Sequence, residues 1–368
     1  MPVYARLRPL LFHLDAETAH GLGMAAAGLG ACAPSLVRRL FAPPPDSRLA
    51  QTVFGLRFAS PVGLAAGFDK NAVRVPVWAA LGFGFAEVGS VTARGGSGNP
   101  RPRAFRLPED GALVNRMGLG NDGAAAIAAR LARLRRPPGF VVGVNVAKTH
   151  DPALVGEAAL EDFRASVRLV LPHADYLALN VSCPNTAEGK TFEEPAALEA
   201  LLAATLPLRD AHAARRVPVL VKLSPPGPSG LDAPLVDELV DVCRARGVDG
   251  LVATNTATDR AGLATPPARL AAIGRGGLSG RPLAARALAL TRHLYRTAGG
   301  ALPLIGVGGI DSAEAAYARI RAGASLVQLY AGLVYEGPGL PGRIARGLAA
   351  RLDADGLATL ADAVGLDA

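Results

Sequence analysis

The segment GEAALEDFRASVRLVLPHADYLALNVSCPNT, residues 156–186, decides how the whole chain is read. Its first half is able to form a helix. ADYLALNV then follows as a continuous apolar run, the pattern of a strand buried on both faces in a parallel sheet. The run ends on Asn180, Ser182, Cys183, Pro184 and Asn185. A buried strand needs no such terminus, and polar groups left unpaired there would cost stability. The terminus therefore presents groups to be hydrogen-bonded, and one able to attack or to take a proton.

Working outward, seven further runs share this form. They are PVGLAAGF from Pro61, FAEVGSVT from Phe85, FVVGVNVAK from Phe140 and VPVLVKLS from Val217, then VDGLVATNT from Val248, LPLIGVGGI from Leu302 and ASLVQLYAG from Ala324. Each precedes a stretch able to form a helix. Eight strand–helix units predict an α/β fold closed into a (β/α)8 TIM barrel, with an open doubly wound sheet as the alternative. Between the second and third runs, RPRAFRLPEDGALVNRMG predicts a β-hairpin excursion over the barrel mouth. Residues 1–45 form a separate N-terminal helical segment ahead of a barrel unit at 46–368. It holds VYARLRPLLFHL, then DAETAHGLGMAAAGLGA with Asp15 as N-cap, then SLVRRLF, and ends in the stiff run Pro43–Pro45.

The 368 residues carry a net charge of +8, with 35 arginines against four lysines. The arginines are scattered, so the charge reads as a compositional bias and no nucleic-acid partner is expected. Cys32, Cys183 and Cys243 show no paired spacing, which argues against disulfides and for a reducing compartment. Cys32 and Cys243 are expected to be small buried hydrophobes. The histidines and cysteines show no ligand spacing, so no metal site is expected. No signal-peptide pattern opens the chain, and GLGMAAAGLGACA (Gly21 to Ala33) is too short and glycine-rich to span a bilayer.

Catalytic groups of such barrels sit at the C-terminal strand ends. Lys70, Lys148 and Lys222 fall there, and Lys190 falls in the loop that Cys183 opens. A chain that otherwise writes its cations as arginine uses lysine where a compact, tunable charge is wanted. GVGGI, LYAG and GLSG at Gly277–Gly280 predict turns whose backbone N–H groups bind phosphate, beside the seventh and eighth strands. Asn115, Asn145, Asn180, Asn185 and Asn255 together can read the edge of a planar ring. Lys222 either offsets negative charge, as on a reduced flavin, or pairs with an unidentified buried carboxylate. Cys183, a thiol of ordinary pKa about 8.5, is a usable base or nucleophile.

AAGFDKN, EVGSVT, GNPRPRAFRLPED, VNRMG, GVNVAK, NVSCPNT, VKLSP, ATNT, GLSGRP, GVGGIDS and ASLVQLYAG occur in this order. Together they resemble the dihydroorotate dehydrogenases, the flavin mononucleotide (FMN) enzymes of pyrimidine synthesis. The N-terminal segment and FRLPED resemble the quinone-reducing, membrane-associated branch. The resemblance implies oxidation of dihydroorotate to orotate, FMN as cofactor, a quinone (ubiquinone) as acceptor, and peripheral attachment at the cytoplasmic face of the cell membrane. It implies a flavin site of Ala65, Ala66, Gly67, Lys70, Ser90, Asn145, Asn180, Lys222 and Thr254. Ser279, Gly280, Gly308, Gly309, Tyr330 and Ala331 would surround the ribityl chain and phosphate. Lys70, Asn115, Asn180, Asn185, Asn255 and Thr256 would hold the substrate. Cys183 would take the C5 proton as hydride leaves C6 for flavin N5, and His20, Arg106 and Tyr330 would line a quinone tunnel. The sequence departs from that branch at Cys183, where serine is usual and cysteine belongs to the soluble branch. AEGKTFEEP replaces its PGLR-like turn, and Leu119 stands where an aromatic is usual. The competing readings are the same reaction with a soluble acceptor (fumarate or NAD), an FMN-dependent tRNA dihydrouridine synthase, a related flavin reductase of unsaturated pyrimidines, and a non-catalytic phosphate-binding or membrane-interaction barrel.

Overall fold

The computed structural model describes residues 3–182 and 192–368, so Cys183, Asn185 and Lys190 lie outside the described residues. The chain begins with helices α1 (Val3–His13), α2 (Ala16–Gly30) and α3 (Pro34–Phe41). Asp15 caps α2 as its position predicts, accepting from the Glu17 and Thr18 amides at 3.1 and 2.9 Å. An antiparallel hairpin of β1 (Gln51–Val53) and β2 (Leu56–Phe58) follows, its strands too short to stand out in the sequence.

β3 (Val62–Leu64) and β4 (Phe85–Val91) then start a barrel. The chain leaves it for β5 (Ala104–Leu107) and β6 (Ala112–Asn115) and returns in β7 (Val141–Val146), β8 (Tyr176–Asn180), β9 (Val219–Leu223) and β10 (Gly250–Ala253). β11 (Gly277–Gly280) is a second departure before β12 (Leu304–Val307) and β13 (Ala324–Leu329). β13 pairs with β3, so the eight parallel strands form a closed barrel, one from each predicted run.

The barrel floor shows why these strands carry glycine among branched residues. A β-carbon on Gly63 would lie 2.2 Å from the Phe85 ring, and one on Gly143 2.1 Å from the Tyr176 ring. The two glycines make room for fully buried aromatics inside the barrel. Phe58 meets Phe85 edge-on, with centroids 5.2 Å apart, so the β1–β2 hairpin plugs the N-terminal end. The opposite end is left open for chemistry.

β5 and β6 form the predicted hairpin. GLSG, expected as a phosphate-binding turn, is instead strand β11, antiparallel to β6. The edge of β6 away from β5 would otherwise leave its backbone groups unpaired, and β11 satisfies them. Asp110 ties the hairpin tip to the far loop by accepting from the Ala264 and Thr265 amides at 2.6 and 3.1 Å.

The N-terminal helices dock on this small sheet and the barrel. Glu17 pairs with Arg103 at 3.0 Å, Arg74 donates to the Met24 carbonyl at 2.9 Å, and Tyr4 donates to the Val334 carbonyl at 2.5 Å. Cys32, expected to be buried, is exposed, because the turn from α2 to α3 lies on the surface; Cys243 is buried as expected. Among the described residues no single helix is long and apolar enough to cross a membrane.

Candidate active site

A cavity open to solvent lies at the C-terminal strand ends, under the β5–β6–β11 sheet. A line of hydrogen bonds crosses its floor. Asn255 Nδ2 donates to Asn180 Oδ1 at 3.0 Å, Asn180 Nδ2 to Ser90 Oγ at 3.1 Å, and Ser90 Oγ to Asn145 Oδ1 at 2.5 Å. Asn145 Nδ2 donates to Glu87 Oε1 at 2.9 Å. A carboxylate only accepts, so Glu87 fixes which way the Asn145 amide points, and each next donor along the line follows.

Glu87 is fully buried and joins more than this line. Its Oε2 accepts from Gln328 Nε2 at 2.8 Å and from the Tyr176 hydroxyl at 3.1 Å, and Oε1 lies 3.5 Å from the Lys222 ammonium. Burial first, then the charge of Glu87, pushes the Tyr176 phenol well above its ordinary pKa, so it stays a donor. Glu87 is the carboxylate partner left open for Lys222. The signal for it was a lone acid inside the apolar run FAEVGSVT.

The structure brings the expected residues together. Ala65, Ala66, Gly67, Lys70, Ser90, Asn180, Lys222, Thr254, Asn255 and Thr256 line the cavity, and Asn115 reaches it from β6. Ser279, Gly280, Gly308, Gly309, Tyr330 and Ala331 line its other side. Asn145 is not in the wall. It is fully buried behind Ser90 and accepts from that hydroxyl. Lys148 lines neither this cavity nor the next; its ammonium donates to the Asp151 and Leu154 carbonyls at 3.3 and 3.0 Å, holding the loop after β7.

Two features of the cavity suit a polar ligand. Thr256 Oγ1 and Gln328 Oε1 are buried in its wall without a hydrogen-bond partner among the described residues. An unsatisfied buried polar atom costs about 1–3 kcal/mol, so each is available to a ligand group. Gly308 and Gly309 hold φ of +102° and +72°, and a β-carbon on Gly309 would lie 2.5 Å from Ala284 Cα. Backbone therefore forms that corner of the cavity, as an anion site requires.

A second, larger cavity, also open to solvent, lies between the N-terminal helices and the barrel. His20, Arg106 and Tyr330 all line it. Phe68 stacks edge-on against His20, Tyr330 and Trp78, with centroids 5.0, 5.4 and 5.6 Å apart. Arg106 lies 4.6 Å over the Phe12 ring and donates to the Leu11 and Leu14 carbonyls, closing the α1–α2 turn. Burial, then the charge of Lys70, lowers the His20 pKa below its ordinary value, so the ring is neutral near pH 7. Gly67, Lys70, Asn115, Met117, Ser279 and Tyr330 line both cavities and form a common wall.

Known proteins match this chain over nearly its whole length. Residues 48–352 match the family described as dihydroorotate dehydrogenase. The chain is 49% identical to a dihydroorotate dehydrogenase (quinone) of Deinococcus deserti, covering 98% of this chain and 99% of that protein. It is 48% identical to a protein of the same name from Mycobacterium marinum, covering 100% of this chain and 98% of that one. The ligand-free structure of DHODH from Eimeria tenella superposes with a TM-score of 0.86 at 34% identity, covering 96% of this chain and 99% of that chain. The chain belongs to the dihydroorotate dehydrogenase family.

Proposed function

We propose that this chain oxidises dihydroorotate to orotate in pyrimidine synthesis, with FMN in the first cavity and a quinone, of the ubiquinone type, received in the second. The common wall carries this reading. A planar cofactor in the first cavity can take electrons from a polar substrate there and release them across that wall to an apolar acceptor.

Bound FMN supplies the hydride acceptor. Ala65, Ala66 and Gly67 bring backbone against it, and the Gly308–Gly309 corner with Ser279, Gly280 and Ala331 offers donors for ribityl and phosphate oxygens. Lys222 supplies the cation that offsets charge gained on reduction. Asn115, Asn180, Asn255 and Thr256, with Asn185, match alternating C=O and N–H groups of the substrate ring, and Lys70 takes its carboxylate. Cys183 removes the proton from C5 as hydride leaves C6, and the asparagines steady charge developing on the ring. Anaerobic addition of dihydroorotate to the purified protein is expected to bleach the visible flavin absorbance. A short-chain ubiquinone should then restore the colour faster than fumarate. A yellow protein that stays yellow discards the substrate, and faster recovery with fumarate discards the quinone.

Residues 1–45 serve in this reading as a peripheral membrane attachment on the cytoplasmic face, admitting quinone to the barrel at 46–368. Seven of the eleven exposed large hydrophobics among the described residues support it: Leu7, Leu10, Leu14, Leu22, Leu29, Leu36 and Leu40, all in this segment. Arg6, Arg38 and Arg39 are exposed beside them, whereas Arg8 turns inward to the Tyr335 carbonyl at 3.1 Å. The intact protein is expected to float with anionic liposomes and a version lacking residues 1–45 to remain behind. Equal partitioning removes the attachment.

A further inference from the structure

Arg319 belongs to the helix Ala313–Arg321 outside the barrel, yet it is 2% exposed. Its Nη1 donates to the Val307 carbonyl at 3.0 Å. Its Nη2 donates to the Gly308 and Ala284 carbonyls at 2.9 and 3.3 Å, and Nε has no partner among the described residues. Burial lowers its pKa to about 10, which leaves it charged at neutral pH. All its acceptors are neutral. Arg209, of comparable burial, has Asp249 at 3.1 Å and Asp210 at 2.7 Å. A buried cation without an anion costs several kcal/mol, so its place asks for negative charge nearby.

The acceptors say where that charge belongs. Val307 and Gly308 line the first cavity, and Ala284 opens the helix Ala284–Ala298, against which Gly309 packs. Arg319 thus holds the carbonyls of the glycine corner from behind. The Gly308 and Gly309 N–H groups have no backbone acceptor among the described residues, so they remain available to a ligand. We infer that Arg319 is a positioning residue for an anion: its unpaired charge and its grip on these carbonyls make the corner select a phosphorylated flavin over the unphosphorylated one. The inference rests on the flavin reading above and deepens it.

The test compares FMN with riboflavin, which has the same ring and no phosphate. Full-length wild type and Arg319→Met are stripped of flavin, and each flavin is titrated in by quenching of its fluorescence. Arg319→Met is expected to weaken FMN binding by about tenfold or more and riboflavin binding by less than about twofold. Arg319→Lys, which keeps the charge without the fork, should recover part of the FMN affinity. Should the methionine variant not fold, Arg319→Gln is read by the same criteria. Equal weakening of both flavins makes Arg319 merely structural and overturns the inference, as does unchanged FMN affinity. Wild type that binds neither flavin sinks the flavin reading itself, a separate outcome.

Discussion

Replacing Cys183 with alanine is expected to slow reduction of bound flavin by dihydroorotate about 10²- to 10⁴-fold, the range a positioned general base supplies. The C5 proton must leave as the C6 hydride does, and an alanine has no lone pair to receive it. Stopped-flow absorbance under anaerobic conditions reads this step apart from quinone reduction. Flavin affinity should be unchanged, since the base serves the substrate. The pH profile carries the sign: the rate rises while the thiol is protonated and flattens above its pKa. An ordinary thiol titrates near about 8.5, well below a hydroxyl, so Cys183→Ser should move the plateau to higher pH. An alanine variant within about threefold of wild type would show that Cys183 is not the base.

The second large effect is one of stability. Glu87→Ala is expected to cost about 3–5 kcal/mol, because it leaves the Lys222 cation buried without its counter-ion. The same change takes the acceptor from Tyr176, Gln328 and Asn145 at once. Glu87→Gln keeps the shape and one acceptor oxygen, so it should cost less. Urea unfolding of the three proteins, monitored by circular dichroism, measures the difference. Its consequence for the site is orientation: without Glu87 the Asn145 amide has no reason to point one way and the Ser90 hydroxyl loses its fixed acceptor, whereas Asn255 stays oriented by the Ser182 carbonyl at 3.1 Å. A cost below about 1 kcal/mol for Glu87→Ala would mean that Lys222 is not held as an ion pair.

What could be read in the sequence follows from which signals are local. The eight barrel strands were legible because each is a continuous apolar run, and Asp15 because a cap announces itself beside its helix. The three-residue strands of β1 and β2 are below the length at which such patterns show. GLSG looked like a turn because glycine favours turns, but the edge of β6 decided otherwise, and that edge is a tertiary fact. Lys148 stands at a strand end like Lys70 and Lys222; only the fold shows that it donates to two carbonyls of its own loop. Arg319 is harder still. In AEAAYARIR it reads as a solvated helix face, and its burial comes from the glycine corner folding over it. Glu87 and Lys222 were each visible as a charge within an apolar run. Their pairing needed β4 and β9 to face each other across the barrel.

If two substrates use two cavities that meet at one wall, Gly23→Trp separates their half-reactions most directly. Gly23 lines the second cavity and lies four residues from both Ala19 and Ala27 on the inward face of α2. A β-carbon there meets nothing within 4 Å, so the helix accepts a side chain. Flavin reduction by dihydroorotate and reoxidation by a short-chain ubiquinone are then timed separately. The two-cavity account expects reduction unchanged and reoxidation slowed by about tenfold or more. Both rates falling together, or neither, would contradict it.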